Sequence, residues 1–117
     1  LELSPVATVV TSKNMTYLYL KADIYPDLDK FEEVQSAYAE LIRASLSEPG
    51  CLLYDLVVSG EDSSVWHMFE KWESKAAWDD HMQTEHVARI QQLEPQLIVA
   101  PTKLNFYTPV LSAADRS

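Results

Sequence analysis

A chain of 117 residues is the size of one domain and can bury roughly 65% of its unfolded surface without disulfide or metal staples. Nine Lys and Arg against eighteen Asp and Glu give a formal charge of −9, which repels phosphate backbones and argues against a nucleic-acid partner. Hydrophobic residues make up 47%, yet no apolar run approaches the ~20 residues of a membrane span, so a globular protein with no membrane partner is expected.

Residues 1–15 read as an N-terminal extension, with a short β-type run from Val6 to Thr11 after Pro5. The chain begins with Leu1 and not Met, which leaves open whether a leader or an initiator methionine precedes it. The domain proper is expected over 16–110. Thr16 to Tyr25 alternates as a strand, with Leu18, Leu20, Ala22 and Ile24 on one face and Tyr17, Tyr19, Lys21, Asp23 and Tyr25 on the other. Pro26 and Asp27 end it. Asp29 and Glu32 then have the spacing of a capping box ahead of a helix whose stripe is Phe31, Val34, Tyr38, Leu41, Ile42 and Ser45.

Glu48, Pro49 and Gly50 stop that helix, and Cys51 to Ser59 reads as the second strand, with Leu52, Tyr54, Leu56 and Val58 on one face. Cys51, the single cysteine, cannot form an internal disulfide. It reads as a small buried hydrophobe and fits a reducing compartment, so a cytoplasmic location is expected. Gly60 to Ser64 forms a hairpin loop.

The next stretch, Trp66 to Ile90, is where chemistry is most expected. Val65 to Trp72 is a strand with Trp66, Met68, Glu70 and Trp72 on one side and Val65, His67, Phe69 and Lys71 on the other, and neither side looks solvated. Ser74 is a helix N-cap, followed by Ala77, Trp78, His81 and Met82 on one apolar face. Thr84 is a second N-cap, after which His86, Ile90, Leu93 and Leu97 recur at helical spacing. Both His81 and His86 therefore point toward the apolar layer. Pro95 marks the end of this helical region, Thr102 to Thr108 is the last strand, and 111–117 is expected to be a flexible tail.

The order strand, helix, strand, strand, helix, strand predicts an α+β, ferredoxin-like βαββαβ domain with a four-stranded antiparallel sheet. Helices then cover one sheet face only. The other would carry Leu53 and Val57 or Val65 and Phe69, so a second copy stacked sheet on sheet is the expected cover.

Glu48-Pro49-Gly50-Cys51, Tyr54, Glu70, Trp72-Glu73-Ser74, His81 and Glu85-His86-Val87, in this order and spacing, resemble the antibiotic biosynthesis monooxygenase domains. The similarity covers Thr16 to Tyr107. It implies a homodimer (a dimeric α/β barrel) with a pocket between helices and sheet in each subunit. It also implies, as one branch, a monooxygenase that oxidises a small aromatic phenol, quinol or anthrone with dioxygen and no cofactor. The same family holds a signalling-sugar isomerase and heme-degrading enzymes. Heme degradation is disfavoured: relatives of that branch use an Asn in the first strand, a Trp and a later His, whereas this chain has no Asn there, His81 at the Trp position and Gln91 at the His position.

With only Gly50 and Gly60, neither a dinucleotide-binding turn nor a phosphate loop can be built, in keeping with chemistry whose electrons come from the substrate. Such a site needs a base and hydrogen-bond donors, and His81 and His86 are the candidates, with His86 at a helix N-terminus that favours a neutral ring. Glu70, a carboxylate on an apolar strand face, is the third catalytic candidate, for orienting a histidine or moving a proton. Tyr54, Trp66 and Trp72 are candidates to line an aromatic substrate pocket. His67 reads as structural. His81, Glu85, His86, Asp79 and Asp80 include metal-ligand types, but two histidines five apart do not share a helical face, so no metal is expected. An isomerase or hydroxyl-sugar-processing enzyme of the same fold, and a non-catalytic small-ligand-binding dimer, are the alternatives.

Overall fold

The computed structural model describes residues 9–10 and 16–113. Its elements are β1 (Val9–Val10), β2 (Leu18–Pro26), α1 (Phe31–Leu46), β3 (Cys51–Val58), β4 (Trp66–Trp72), α2 (Lys75–His81), α3 (Glu85–Leu97), β5 (Ile98–Tyr107) and β6 (Ser112–Ala113). The four long strands form an antiparallel sheet in the order β3-β4-β2-β5, the ferredoxin-like arrangement that the element order predicts.

Strands β2 and β4 form the middle of the sheet, each paired on both edges. Leu18, Leu20, Ala22 and Ile24 face the helices and are buried, while Tyr19, Lys21, Asp23 and Tyr25 face the open side. The same alternation on β4 buries Trp66, Met68, Glu70 and Trp72 and turns His67, Phe69 and Lys71 outward. From above, α1 contributes Val34, Tyr38, Leu41 and Ser45, and α3 contributes Val87, Ile90 and Leu97. Phe31 and Ile42, the edges of the expected α1 stripe, are only partly covered. On the edge strand β3 only Tyr54 is buried, since a bulge between Cys51 and Leu53 breaks the regular pairing with β4. Cys51 at the start of that strand is a free thiol and is half-buried, less covered than its reading as a core hydrophobe implies.

The helix starts after β4 are capped as expected: Ser74 Oγ accepts from Ala77 N and Thr84 Oγ1 from Val87 N. The start of α1 is not. Asp27, and not Asp29, is the capping carboxylate; it accepts from Asp29 N and holds a 3-10 turn, Leu28–Lys30, that leads into α1 without a side-chain cap of its own. Pro95 lies inside α3, which continues to Leu97; near a helix end the proline removes one hydrogen bond without terminating the coil. The last strand begins at Ile98, four residues earlier than expected, with register irregularities against Asp23–Pro26 that let it follow the helix directly. At the chain ends, Val9–Val10 pairs with Ser112–Ala113, within the stretches read as extension and tail; the rest of 1–15 and 114–117 lies outside the described residues.

Candidate active site

Between the helices and the covered sheet face lies a cavity of about 220 Å³. Its floor is Ala22 and Ile24 of β2 with Met68 and Glu70 of β4, its sides include Tyr54 of β3 and Leu104 of β5, and Trp78, His81 and Ile90 close it from the helices. The interior is mostly apolar, with polar groups at a few places, as small-molecule sites are built.

Three of the expected residues come together on its wall. His81, at the C-terminal end of α2, is 2% exposed. Its Nδ1–H donates to Glu48 Oε2 at 2.6 Å, which fixes the tautomer and leaves Nε2 as the acceptor nitrogen, 3.4 Å from the Tyr54 hydroxyl. Burial lowers the pKa of His81, and this outweighs the upward pull of Glu48, so the ring is held neutral near pH 7. Tyr54 is pushed the other way: burial, reinforced by the charge of Glu70, holds its phenol well above the usual range and therefore protonated. Glu70 is 6% exposed, and burial raises its carboxyl to about 7 even though Trp72 Nε1–H donates to Oε1 at 2.9 Å.

His86 is placed differently from expectation. It does not line this cavity but a small outer cleft beside Glu40 and Arg89, and its side chain is 22% exposed. Its Nε2–H donates to the same Glu48 oxygen at 2.7 Å. The residues therefore run from cavity to surface as Tyr54, His81, Glu48 and His86, with one carboxylate oxygen joining two imidazoles.

In the sequence Glu48 reads as part of a helix stop and of the family motif, with no role at the site. One signal could have singled it out: a carboxylate just past a helix C-terminus faces the negative end of the dipole and needs compensating donors. Here they are the two imidazole N–H groups. Glu48 Oε2, His81 Nδ1 and His86 Nε2 also lie within 4.8 Å of one another, the one group of three metal-ligand types found among the described residues. The carboxylate within reach of both histidines is thus Glu48, and not the sequence neighbours Asp79, Asp80 or Glu85. A cation would enter only by displacing the two short hydrogen bonds that already satisfy this oxygen.

The tryptophans expected in the pocket are not on its wall. Trp72 is fully buried behind it, its ring centroid 4.5 Å from that of His81 and 6.2 Å from that of Tyr54. Trp66 packs edge-on against Phe31 at 5.8 Å, away from the cavity. Strand alternation puts both on the covered face, but the ends of β4 lie under packed helix and turn, and only its middle opens onto the cavity. His67 is on the open face, where its Nδ1–H donates to Asp23 Oδ1 at 2.8 Å; Asn105 donates to the other oxygen at 3.1 Å.

The model of the family "Antibiotic biosynthesis monooxygenase" matches residues 18–93. The chain belongs to the antibiotic biosynthesis monooxygenase family, in agreement with the resemblance its motifs carry. It is 32% identical over 79 residues to the protein sll1783 of Synechocystis sp., covering 68% of this chain but 54% of that protein, so it spans about half the length of that relative. It is 31% identical over 84 residues to a Bacillus subtilis protein named "Putative monooxygenase YcnE", covering 72% of this chain and 88% of that one. Among solved structures, PA3566 from Pseudomonas aeruginosa superposes with a TM-score of 0.74 at 29% identity, covering 85% of this chain and 99% of that chain.

Proposed function

We propose that this protein is a cofactor-independent monooxygenase acting on a small electron-rich aromatic hydroxyl compound, a phenol, quinol or anthrone. The observation that carries the reading is the single acceptor nitrogen, His81 Nε2, at the wall of an apolar cavity beside the Tyr54 hydroxyl, on a buried ring whose other nitrogen is tied to a carboxylate. His81 removes the hydroxyl proton of the substrate. Glu48 holds the ring and stabilises the imidazolium, and the partly exposed His86 donates to the same Glu48 oxygen from the surface side.

The anion so formed passes an electron to dioxygen; the superoxide and the substrate radical combine at a ring carbon, and loss of water completes the step. For a quinol the sum is quinol plus dioxygen giving hydroxyquinone plus water, which balances with no external reductant. Glu70, close to half protonated near neutrality, is suited to hand a proton to the leaving peroxide oxygen.

The reading includes a homodimer. Leu53, Val57 and Phe69 are each more than a third exposed on the uncovered sheet face around the His67–Asp23–Asn105 cluster, and a twin stacked there covers them. The test of the activity is oxygen uptake by chelator-treated, flavin-free protein across a panel of quinols and anthrones. Catalysed uptake lost in His81→Gln is expected. No uptake on any member, or uptake only after a metal is restored, overturns the reading, and substrate isomerisation without oxygen uptake would favour the isomerase.

A further inference from the structure

The cavity has a second polar place, distant from His81 and unused by the chemistry above. Glu94 of α3 lines it, and its Oε2 accepts from Tyr38 of α1 at 2.7 Å and from Thr102 of β5 at 3.0 Å. Oε1 takes no hydrogen bond from the described residues. Both hydroxyl protons are committed to the carboxylate, so the cluster offers a ligand acceptor oxygens and no donor. Burial and the Glu94 charge raise the Tyr38 phenol far above its ordinary range, which keeps that proton in place.

Two features set what could meet this cluster. Glu94 and Glu70 both line the cavity, while no Lys or Arg among the described residues does. An anionic ligand would bring like charge into a low-dielectric space with no cation to offset it. The sheet order also separates the two polar places. Glu70 on β4 stands two strand spacings, ~10 Å, from Thr102 on β5, and Tyr54 on β3 stands three, ~14 Å. At about 220 Å³ the cavity is nonetheless smaller than most ligand sites, which run ~300–1,000 Å³.

We infer that Glu94, held by Tyr38 and Thr102, is a specificity determinant that accepts a second hydroxyl at the far end of the substrate, so that the cavity selects an uncharged, two-ring aromatic diol and refuses carboxylates and phosphates of similar shape. This rests on the cavity being the substrate site, as proposed above, but not on the oxygen chemistry.

Binding of three probes to the intact protein, followed by tryptophan fluorescence because Trp78 lines the cavity, tests it. The probes are a naphthalenediol with hydroxyls on opposite rings, a naphthol with one hydroxyl, and a hydroxynaphthoic acid with a carboxylate replacing the second. Expected is an affinity for the diol about tenfold above the naphthol and at least about tenfold above the acid. Glu94→Gln should bring the acid to within about threefold of the diol while leaving the naphthol unchanged. Gln91 is exposed at the cavity rim, so Gln91→Arg adds a cation there without disturbing the core and should raise affinity for the acid by about tenfold. Equal binding of acid and diol by the unmodified protein, a preference unaltered in Glu94→Gln, or no binding of any probe overturns the inference. Binding in the expected order without oxygen uptake would instead leave it standing and count against the monooxygenase alone.

Discussion

Trp72 donates its indole N–H to Glu70 Oε1, two residues back along β4 and on the same face. A buried carboxylate is thereby partly compensated by a ring that is itself inaccessible to water. Removing that donor in Trp72→Phe should push the Glu70 carboxyl above its present value of about 7, since the bond favours the ionised form. A carboxyl-carbon NMR titration of the two proteins reads the difference directly, and an unchanged or lower midpoint would contradict it.

The same carboxyl makes stability fall with pH. Its folded pKa of about 7 exceeds the ordinary 4.5, so between these values the native state keeps a proton that the unfolded state releases. The penalty grows across that window and is complete above pH 7, at up to about 3 kcal/mol. Urea unfolding of Glu70→Gln at pH 5 and pH 8 should therefore show the variant gaining on the parent at the higher pH. Equal differences at the two values would mean that Glu70 is not the group responsible.

Glu48→Gln removes the charge shared by His81 and His86 while keeping the size of the side chain. Because Glu48 raises the His81 pKa against burial, the variant should titrate at still lower pH, moving the acid limb of kcat/KM downward. The plateau should fall about 10–10²-fold as the ring loses its fixed tautomer, less than the 10²–10⁴-fold expected for His81→Gln. The pH profile is the decisive readout, since a purely structural role would lower the plateau and leave the limb in place.

Gly50 is buried where the turn after α1 meets α2. A Cβ there would overlap Ala77 Cβ, part of the helix that carries His81, and Gly50 O accepts from Glu73 N at 2.8 Å. Gly50→Ala should destabilise by about 1–3 kcal/mol and displace α2. Gly60 is the control, since a Cβ there would meet nothing within 4 Å: Gly60→Ala should be nearly silent in thermal unfolding.

Phe69→Glu places a charge in the middle of the open sheet face. If two copies meet there, sedimentation should change from dimer to monomer with loss of solubility or stability, whereas a charge change at Glu33, on the exposed start of α1, should alter neither. A stable monomer of the unmodified protein at micromolar concentration would remove the sheet-on-sheet assembly.

The strands and both later helix caps were legible because alternation, helical spacing and capping residues act over a few neighbours. Tyr54, Glu70 and His81 followed from their faces together with the family resemblance. Glu48 did not, since it lies 33 residues from His81 and 38 from His86 and meets them only when the turn after α1 folds against α2 and α3. Tyr38 and Glu94 were hidden for a related reason: periodicity assigns a helical residue to a stripe, but which stripe residue borders a void depends on how the helices cross the sheet. Trp66 and Trp72 show the converse, since the correct face did not make them cavity residues.

The central place of β2 has a consequence for synthesis of the chain. Tyr19 pairs with Tyr107, so one edge of this inner strand waits for the last long strand to leave the ribosome. Until then β2 and β4 present an incomplete sheet whose unpaired backbone groups can join another nascent chain. Cotranslational folding must therefore stall one strand short of completion, and early chaperone capture would act on that waiting edge.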